Sequence, residues 1–303
     1  MNFTHDNHLK YYVGDRLFGD RQYPHEKFVV KVGKVDKEQY AKSNYIEELY
    51  RVANLVVTDI GKDVNVMFSG GTDSEMVLRS LKHVGVNPNV FFIRFTNNYN
   101  DTDYREATKI IDDLGLKLNV IDFDVIDFYK SGQALEFATQ LQCRQIAYLV
   151  VYYNILKLSG PAIMGGELMF QRLPNIYGSK WHYTFRENED GSAMRFSLKY
   201  NIPLVYEWFS YTPEMMAYYL ENPKIQSLFN TKYNYKFNSY TSKNEILREY
   251  MPEIVCSVKL TGYENLMGFN QDAYLTLYQG NQVRYEPSLD GIYIDDITKQ
   301  LFD

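Results

Sequence analysis

Apolar positions along the chain switch between two periods. Phe28-Val29-Val30-Lys31-Val32 reads as a strand, and residues from about Lys37 to Ile60 set Tyr45, Leu49, Val52, Ala53 and Val56 on one helical face before Gly61. Val64-Asn65-Val66-Met67-Phe68 follows as a buried strand. Glu75 to Val84 returns to helical spacing through Met76, Val77, Leu78 and Leu81, closing at Gly85. Strand Val90–Phe95, helix Asp103–Leu114 with Gly115 at its end, and strand Leu118–Phe123 repeat the alternation. A long helix from Leu135 to Leu158 and strand Ala162-Ile163-Met164 complete it. Strands separated by helices of this length predict an α/β fold with a doubly wound parallel sheet.

After about Arg172 the pattern changes. Residues Trp181–Arg186 and Met194–Leu198 flank Asn188-Glu189-Asp190-Gly191, which predicts a hairpin. Thr212-Pro213-Glu214 has the capping residue and first-turn proline of a helix start, and Ser242–Tyr250 is again helical in pattern. Three segments are expected: a β-rich lead-in with its helix over 1–60, the alternating core over 61–174, and a helical, aromatic-rich region over 175–303 packed with that core as one unit.

The 303 residues include 28 Tyr and 18 Phe, a surplus expected at half-buried strand positions. The formal net charge of −6 argues against a general nucleic-acid binder, because such binding draws on Lys and Arg at phosphates. With only Cys143 and Cys256, no disulfide framework is expected, which fits a reducing compartment. The first residues lack the basic and apolar regions of a signal peptide, and no apolar run reaches the ~20 residues that span a bilayer. A cytoplasmic protein without membrane contact is the expectation. The five histidines do not cluster at zinc-ligand spacing.

Candidate chemistry concentrates in Ser69-Gly70-Gly71-Thr72-Asp73-Ser74, between a strand and a helix. The two glycines permit a tight turn and close approach of backbone to a ligand. Amides opening the next helix carry the positive end of its dipole, so the turn suits a phosphate or pyrophosphate, with Ser69 and Ser74 adding hydroxyl donors. Asp73 would repel that phosphate unless a divalent cation lay between them, so the local chemistry asks for Mg²⁺. The lysine of the common nucleotide-binding loop is missing.

The six residues resemble the PP-loop of the N-type ATP pyrophosphatases, Ser-Gly-Gly-x-Asp-Ser, at every fixed position. Within that superfamily the chain looks most like the synthetase domain of asparagine synthetases and β-lactam synthetases. Asp101-Thr102-Asp103-Tyr104-Arg105-Glu106-Ala107 resembles the family's acidic helix start. Ile163-Met164-Gly165-Gly166-Glu167 resembles the strand that ends in magnesium-binding acids, although Leu168, Met169 and Phe170 replace the later acidic part. Lys243–Arg248, Met251-Pro252 and Lys259-Leu260-Thr261-Gly262-Tyr263 resemble the late lysine signature.

The resemblance implies an adenine nucleotide α-hydrolase-like fold, ATP and Mg²⁺ as cofactors, and AMP-forming ligation. A carboxylate or amide-like oxygen is adenylated and then attacked by ammonia or an amine. It implies that residues 69–74 hold pyrophosphate, that Asp73 and Glu167 hold metal, and that Lys259 stabilises the reacting centre. Arg144, in the predicted long helix, is a further candidate for phosphate or substrate. Asn2 stands where the family's glutaminase domain begins with cysteine, and too few residues precede the loop for that domain. Ammonia or amine is then met free, or delivered by a separate amidotransferase or carrier. Two alternatives stay open: a tRNA-thiolating PP-loop enzyme using Cys143 and Cys256, and a nucleotide-binding protein without catalysis. The aromatics Trp181, Tyr183 and Phe185 are the expected substrate-selecting element.

Overall fold

The structure, a computed structural model, describes residues 8–19, 22–23, 26–143, 145–166, 170–171, 182–186, 190–224, 247–256, 262–266 and 289–303. The lead-in is a small antiparallel sheet of β1 (Lys10–Val13), β2 (Arg16–Leu17) and β3 (Phe28–Lys31), in the order β2-β1-β3. Phe28 and Val30 of β3 face the core, while Val29 and Lys31 face outward.

The helix expected over 37–60 is two helices, α1 (Lys37–Lys42) and α2 (Tyr45–Ile60). Capping chemistry makes the break. Asp36 accepts from the amides of Glu38 and Gln39, and Asn44 accepts from those of Ile46 and Glu47. A side chain that satisfies the free amides of a first turn favours a new helix start at that point. Leu49, Val52, Ala53 and Val56 of α2 are fully buried, as their spacing predicts.

The core alternates as expected: β4 (Asn65–Met67), α3 (Thr72–His83), β5 (Asn89–Phe95), α4 (Asp101–Leu114) and β6 (Leu118–Phe123). The predicted helix 135–158 is interrupted. A short α5 (Val125–Lys130) precedes it, and in its place stand α6 (Gln133–Leu141) and α7 (Ile146–Ile155). Gln142 adopts a left-handed conformation (φ 51°) and stops α6, and the amide of Cys143 turns back to the carbonyl of Ala138.

Next come β7 (Ala162–Met164), β8 (Phe170–Gln171), β9 (His182–Arg186), α8 (Ser192–Tyr200), β10 (Leu204–Val205) and α9 (Pro213–Leu220). The predicted hairpin is not formed. Met194–Leu198 lies inside α8, where Ala193, Met194, Arg195, Phe196 and Ser197 are buried in succession instead of alternating. Asn201 ends that helix in a left-handed conformation, its amide on the carbonyl of Ser197. Strand β9 pairs instead with β8 and with β11 (Leu289–Tyr293), giving the antiparallel order β11-β9-β8. The last helix, α10 (Ile294–Phe302), returns to the lead-in, where the amide of Val35 donates to the carbonyl of Leu301 at 2.7 Å.

The central sheet is wholly parallel, in the order β10-β7-β4-β5-β6. This is an α/β doubly wound fold. Its strand sequence runs outward from β4 through β5 to β6, then returns to the other side of β4 for β7 and β10. The reversal opens a crevice beyond the carboxyl ends of β4 and β7, where folds of this class hold ligands. Many tyrosines pack within helices instead of along strands: Tyr45 stacks on Tyr250 with ring centroids 4.0 Å apart, and Tyr152 on Phe196 at 4.8 Å.

Candidate active site

Both glycine loops of the sequence fall at that reversal. Ser69-Gly70-Gly71 leaves the end of β4, and Gly165-Gly166 leaves the end of β7. Gly70 has φ +73°, and an added Cβ would lie 2.9 Å from the carbonyl oxygen of Asp103. Only glycine meets both demands there, a left-handed backbone and no side chain against the first turn of α4. Gly71 caps α3 and, lacking a side chain, offers no acceptor to the helix's first amides. Those amides and the helix dipole therefore face the crevice, as an anion site needs.

Hydroxyls close the loop. Ser69 Oγ and Ser74 Oγ are 3.1 Å apart, and Ser74 Oγ donates to the carbonyl of Gly71 at 2.9 Å. Thr72 and Ser74 are buried, whereas Asp73 is half-buried in the first turn of α3. The second loop lies directly on this turn: a Cβ on Gly165 would be 3.3 Å from the Ser74 amide and 3.5 Å from Asp73 Cβ. Burial is the main cause that holds the Tyr45 phenol well above its usual range, with the neighbouring Tyr219, Tyr250 and Asp73 adding to it.

A cleft of about 150 Å³ opens beside Ser69, lined chiefly by Phe68, Phe92, Asn100, Asp103, Val150 and Tyr263. An apolar cavity of ~150 Å³ accepts a ring the size of benzene. Asn100 shapes its rim, accepting from the Phe95 amide and donating to the Ile93 carbonyl, both at 2.8 Å. Tyr263 packs edge-on against Phe95 with centroids 5.1 Å apart, and burial raises its phenol above the usual range.

The residues flanking the late signature reach the same place. Cys256 Sγ donates to the Gly70 carbonyl at 3.3 Å. Glu75, fully buried in α3, accepts from the amides of Val255 and Cys256 at 2.8 Å each, and Arg79 pairs with it at 2.7 Å. Glu75, Asn100 and Tyr263 were not among the candidates read from the sequence. A Glu–Arg pair at i,i+4 is visible there, but it reads as a surface pair until its burial is known.

Of the expected site residues, the structure brings Ser69, Gly70, Gly71, Thr72, Asp73 and Ser74 together at the crevice. Lys259, Glu167 and Arg144 lie outside the described residues; the helix in which Arg144 was expected is broken next to it. Trp181 also lies outside them. Phe185 is a core residue packed edge-on against Tyr11, so it does not serve as an exposed selecting aromatic. Cys143 and Cys256 are both buried, the usual state of structural cysteines and not of reactive ones. Among the described residues no group of three or more His, Cys, Asp or Glu has metal-holding geometry. Magnesium, however, commonly takes one or two carboxylates and completes its shell with phosphate oxygens and water. A half-buried Asp73 beside an amide-lined turn fits an ion that arrives with a triphosphate.

No protein-family model matches the chain, and no curated protein does. Solved structures resemble it, among them the following three. One is described as a predicted subunit of tRNA methyltransferase from Methanocaldococcus jannaschii, 20% identical, with TM-score 0.31, over 62% of this chain and 87% of that one. NMN synthetase from Francisella tularensis is 14% identical, with TM-score 0.33, over 81% and 96%. NH3-dependent NAD synthetase from Campylobacter jejuni is 16% identical, with TM-score 0.31, over 78% and 95%. Likeness of this size carries no argument about what the chain binds or makes, and the fold rests on the strand order. Among the described residues no helix is long and apolar enough to cross a membrane.

Proposed function

We propose that this chain is a Mg·ATP-dependent, AMP-forming ligase of the PP-loop type. The observation that carries the reading is the position of the Ser69–Ser74 loop, at the reversal of strand order and opening α3, with Gly70 held left-handed against Asp103. A loop of amides and hydroxyls there suits the β and γ phosphates, and the neighbouring apolar cleft suits the base of the nucleotide.

In this reading an oxygen of a substrate carboxylate or amide attacks the α phosphorus. The bond between that phosphorus and the α–β bridging oxygen breaks, and pyrophosphate departs into the loop. Ammonia or an amine then attacks the activated carbon, AMP leaves, and the nitrogen gives up a proton. Ser69, Ser74 and the amides of residues 70–74 bind and orient the pyrophosphate. Asp73, with Glu167, would hold magnesium, which when bound would neutralise charge on the leaving group. Lys259 stabilises charge at the reacting centre, a role supported by the flanking Cys256 and Tyr263, which both pack at the crevice. Arg144 is assigned to phosphate or substrate on charge alone.

The test is calorimetry with a Mg·ATP analogue blocked at the α–β bridge, on wild type and Asp73→Ala. Binding by wild type and its loss in the variant is the expected result. A folded wild type that does not bind refutes the reading.

A further inference from the structure

The lead-in sheet lies far from residues 69–74 in sequence, yet a continuous line of contacts runs from it to them, through buried Tyr11 and Glu207 and half-buried Gly165 and Gly166. Tyr11 of β1 is buried, and its hydroxyl donates to Glu207 Oε1 at 2.7 Å, across 196 positions of sequence. Glu207 follows β10 at the carboxyl edge of the sheet and is itself buried. The peptide joining Tyr206 to Glu207 forms the floor under the second glycine loop. Gly166 has φ +65°, and an added Cβ would be 2.1 Å from the Tyr206 carbonyl oxygen and 3.7 Å from the Glu207 amide nitrogen. Its neighbour Gly165 rests on the other side against Ser74 and Asp73. The two glycines are thus wedged between a peptide anchored from β1 and the first turn of α3.

We infer that Tyr11 and Glu207 are positioning residues for the nucleotide site, fixing the height of the Gly165-Gly166 loop over the turn that carries Asp73 and Ser74. Buried contacts are close-packed, so a shift of the 206–207 peptide is passed to the next layer and not absorbed in a void. Phe28 stacks on Tyr11 with centroids 5.8 Å apart and Phe185 meets it edge-on at 6.1 Å, so the ring keeps its place when only the hydroxyl is removed. The inference takes the nucleotide reading above as its basis for function, but the mechanical coupling stands apart from it.

Tyr11→Phe is the decisive variant, compared with Tyr152→Phe. The latter also loses a buried tyrosine hydroxyl contact, to Ser192 Oγ at 3.0 Å, between α7 and α8. Two measurements are made on the full chain: affinity for the Mg·ATP analogue, and hydrogen exchange over residues 162–166 and 69–74. Tyr11→Phe is expected to weaken binding roughly fivefold, the scale on which changes within a coupled packing network act. It is also expected to speed exchange in both stretches, while Tyr152→Phe, at a similar loss of melting temperature, does neither. Unchanged affinity in Tyr11→Phe, or an equal loss in Tyr152→Phe, overturns the inference. If wild type does not bind the analogue, the ATP reading falls and exchange alone decides the coupling. Faster exchange at 162–166 confined to Tyr11→Phe then upholds it, and exchange equal to wild type overturns it.

Discussion

The thiol of Cys256 donates to the carbonyl of Gly70 at 3.3 Å, tying the loop after β4 to a segment 186 positions later in the chain. A thiol is a weak donor, so the contact acts chiefly by packing. Its size matters more than its hydrogen bond. Cys256→Ser keeps a donor in less volume and is expected to leave affinity for the Mg·ATP analogue within about twofold. Cys256→Leu overfills the site at a cost of about 1–3 kcal/mol and pushes on Gly70, so affinity should fall at least tenfold by calorimetry. A leucine variant that binds like wild type would show that the loop does not depend on this contact.

Two left-handed glycines separate backbone strain from collision. Gly115 has φ +60° and open space around the position of a Cβ, whereas Gly70 at φ +73° meets the Asp103 carbonyl at 2.9 Å. Gly115→Ala therefore carries only the strain of a left-handed residue, about 1–2 kcal/mol, and should leave nucleotide binding intact. Gly70→Ala adds a backbone clash at the mouth of the site and should abolish binding. Melting temperature and calorimetry on the two variants make the comparison. Equal binding by both would remove Gly70 from the argument for the site.

Glu75 is fully buried, and its oxygens meet two amides and the Arg79 guanidinium, which is 11% exposed. Glu75→Ala leaves that cation with Asp113, a carboxylate 46% exposed, and strips the acceptor from the amides of Val255 and Cys256. The expected loss of unfolding free energy in urea is about 3–5 kcal/mol, as when one partner of a buried pair is removed. Glu75→Ala with Arg79→Met should recover part of that loss, because the stranded charge is gone. A double variant less stable than Glu75→Ala alone would contradict this account.

The parallel core was legible because each of its segments satisfies one period: β5, α4 and β6 fall where the apolar spacing puts them, with Gly115 stopping α4. The Ser69–Ser74 turn was legible because its glycines and helix start are local features. What could not be read is set by partners distant in sequence. Strand β10 has two residues and owes its place to β7, and β9 owes its register to β11 across about a hundred residues. In α8 the apolar Met194, Phe196 and Leu198 alternate with the polar Arg195, Ser197 and Lys199, a period of two that reads as a strand although the segment is helical. Glu75 and Cys256 acquire meaning only when the late segment lands on α3.

His8 carries the clearest pH signature. Its Nε2 lies 2.7 Å from the Ser210 carbonyl oxygen, while its Nδ1 lies 3.2 Å from the Gly33 amide, which donates to it. Both nitrogens are satisfied only when Nδ1 is unprotonated and Nε2 carries the hydrogen. Burial, partly offset by the Ser210 bond and aided by nearby Lys10, lowers the pKa from 6.5 to about 4. Between these values the unfolded chain holds more protons than the folded one, so stability rises with pH through that window. The contribution is fully present above pH 6.5 and is lost as pH falls toward 4, with a slope of at most ~1.4 kcal/mol per unit for one group. Glu26 acts in a lower window: hydrogen bonding, first from the Tyr23 amide, lowers its pKa from 4.5 to about 2, so its contribution persists until pH falls below 4.5. His8→Gln should therefore flatten the urea-derived stability profile between pH 4 and 6.5 and leave the limb below pH 4 as in wild type. Parallel profiles for the two proteins through the upper window would mean that His8 does not titrate as its contacts require.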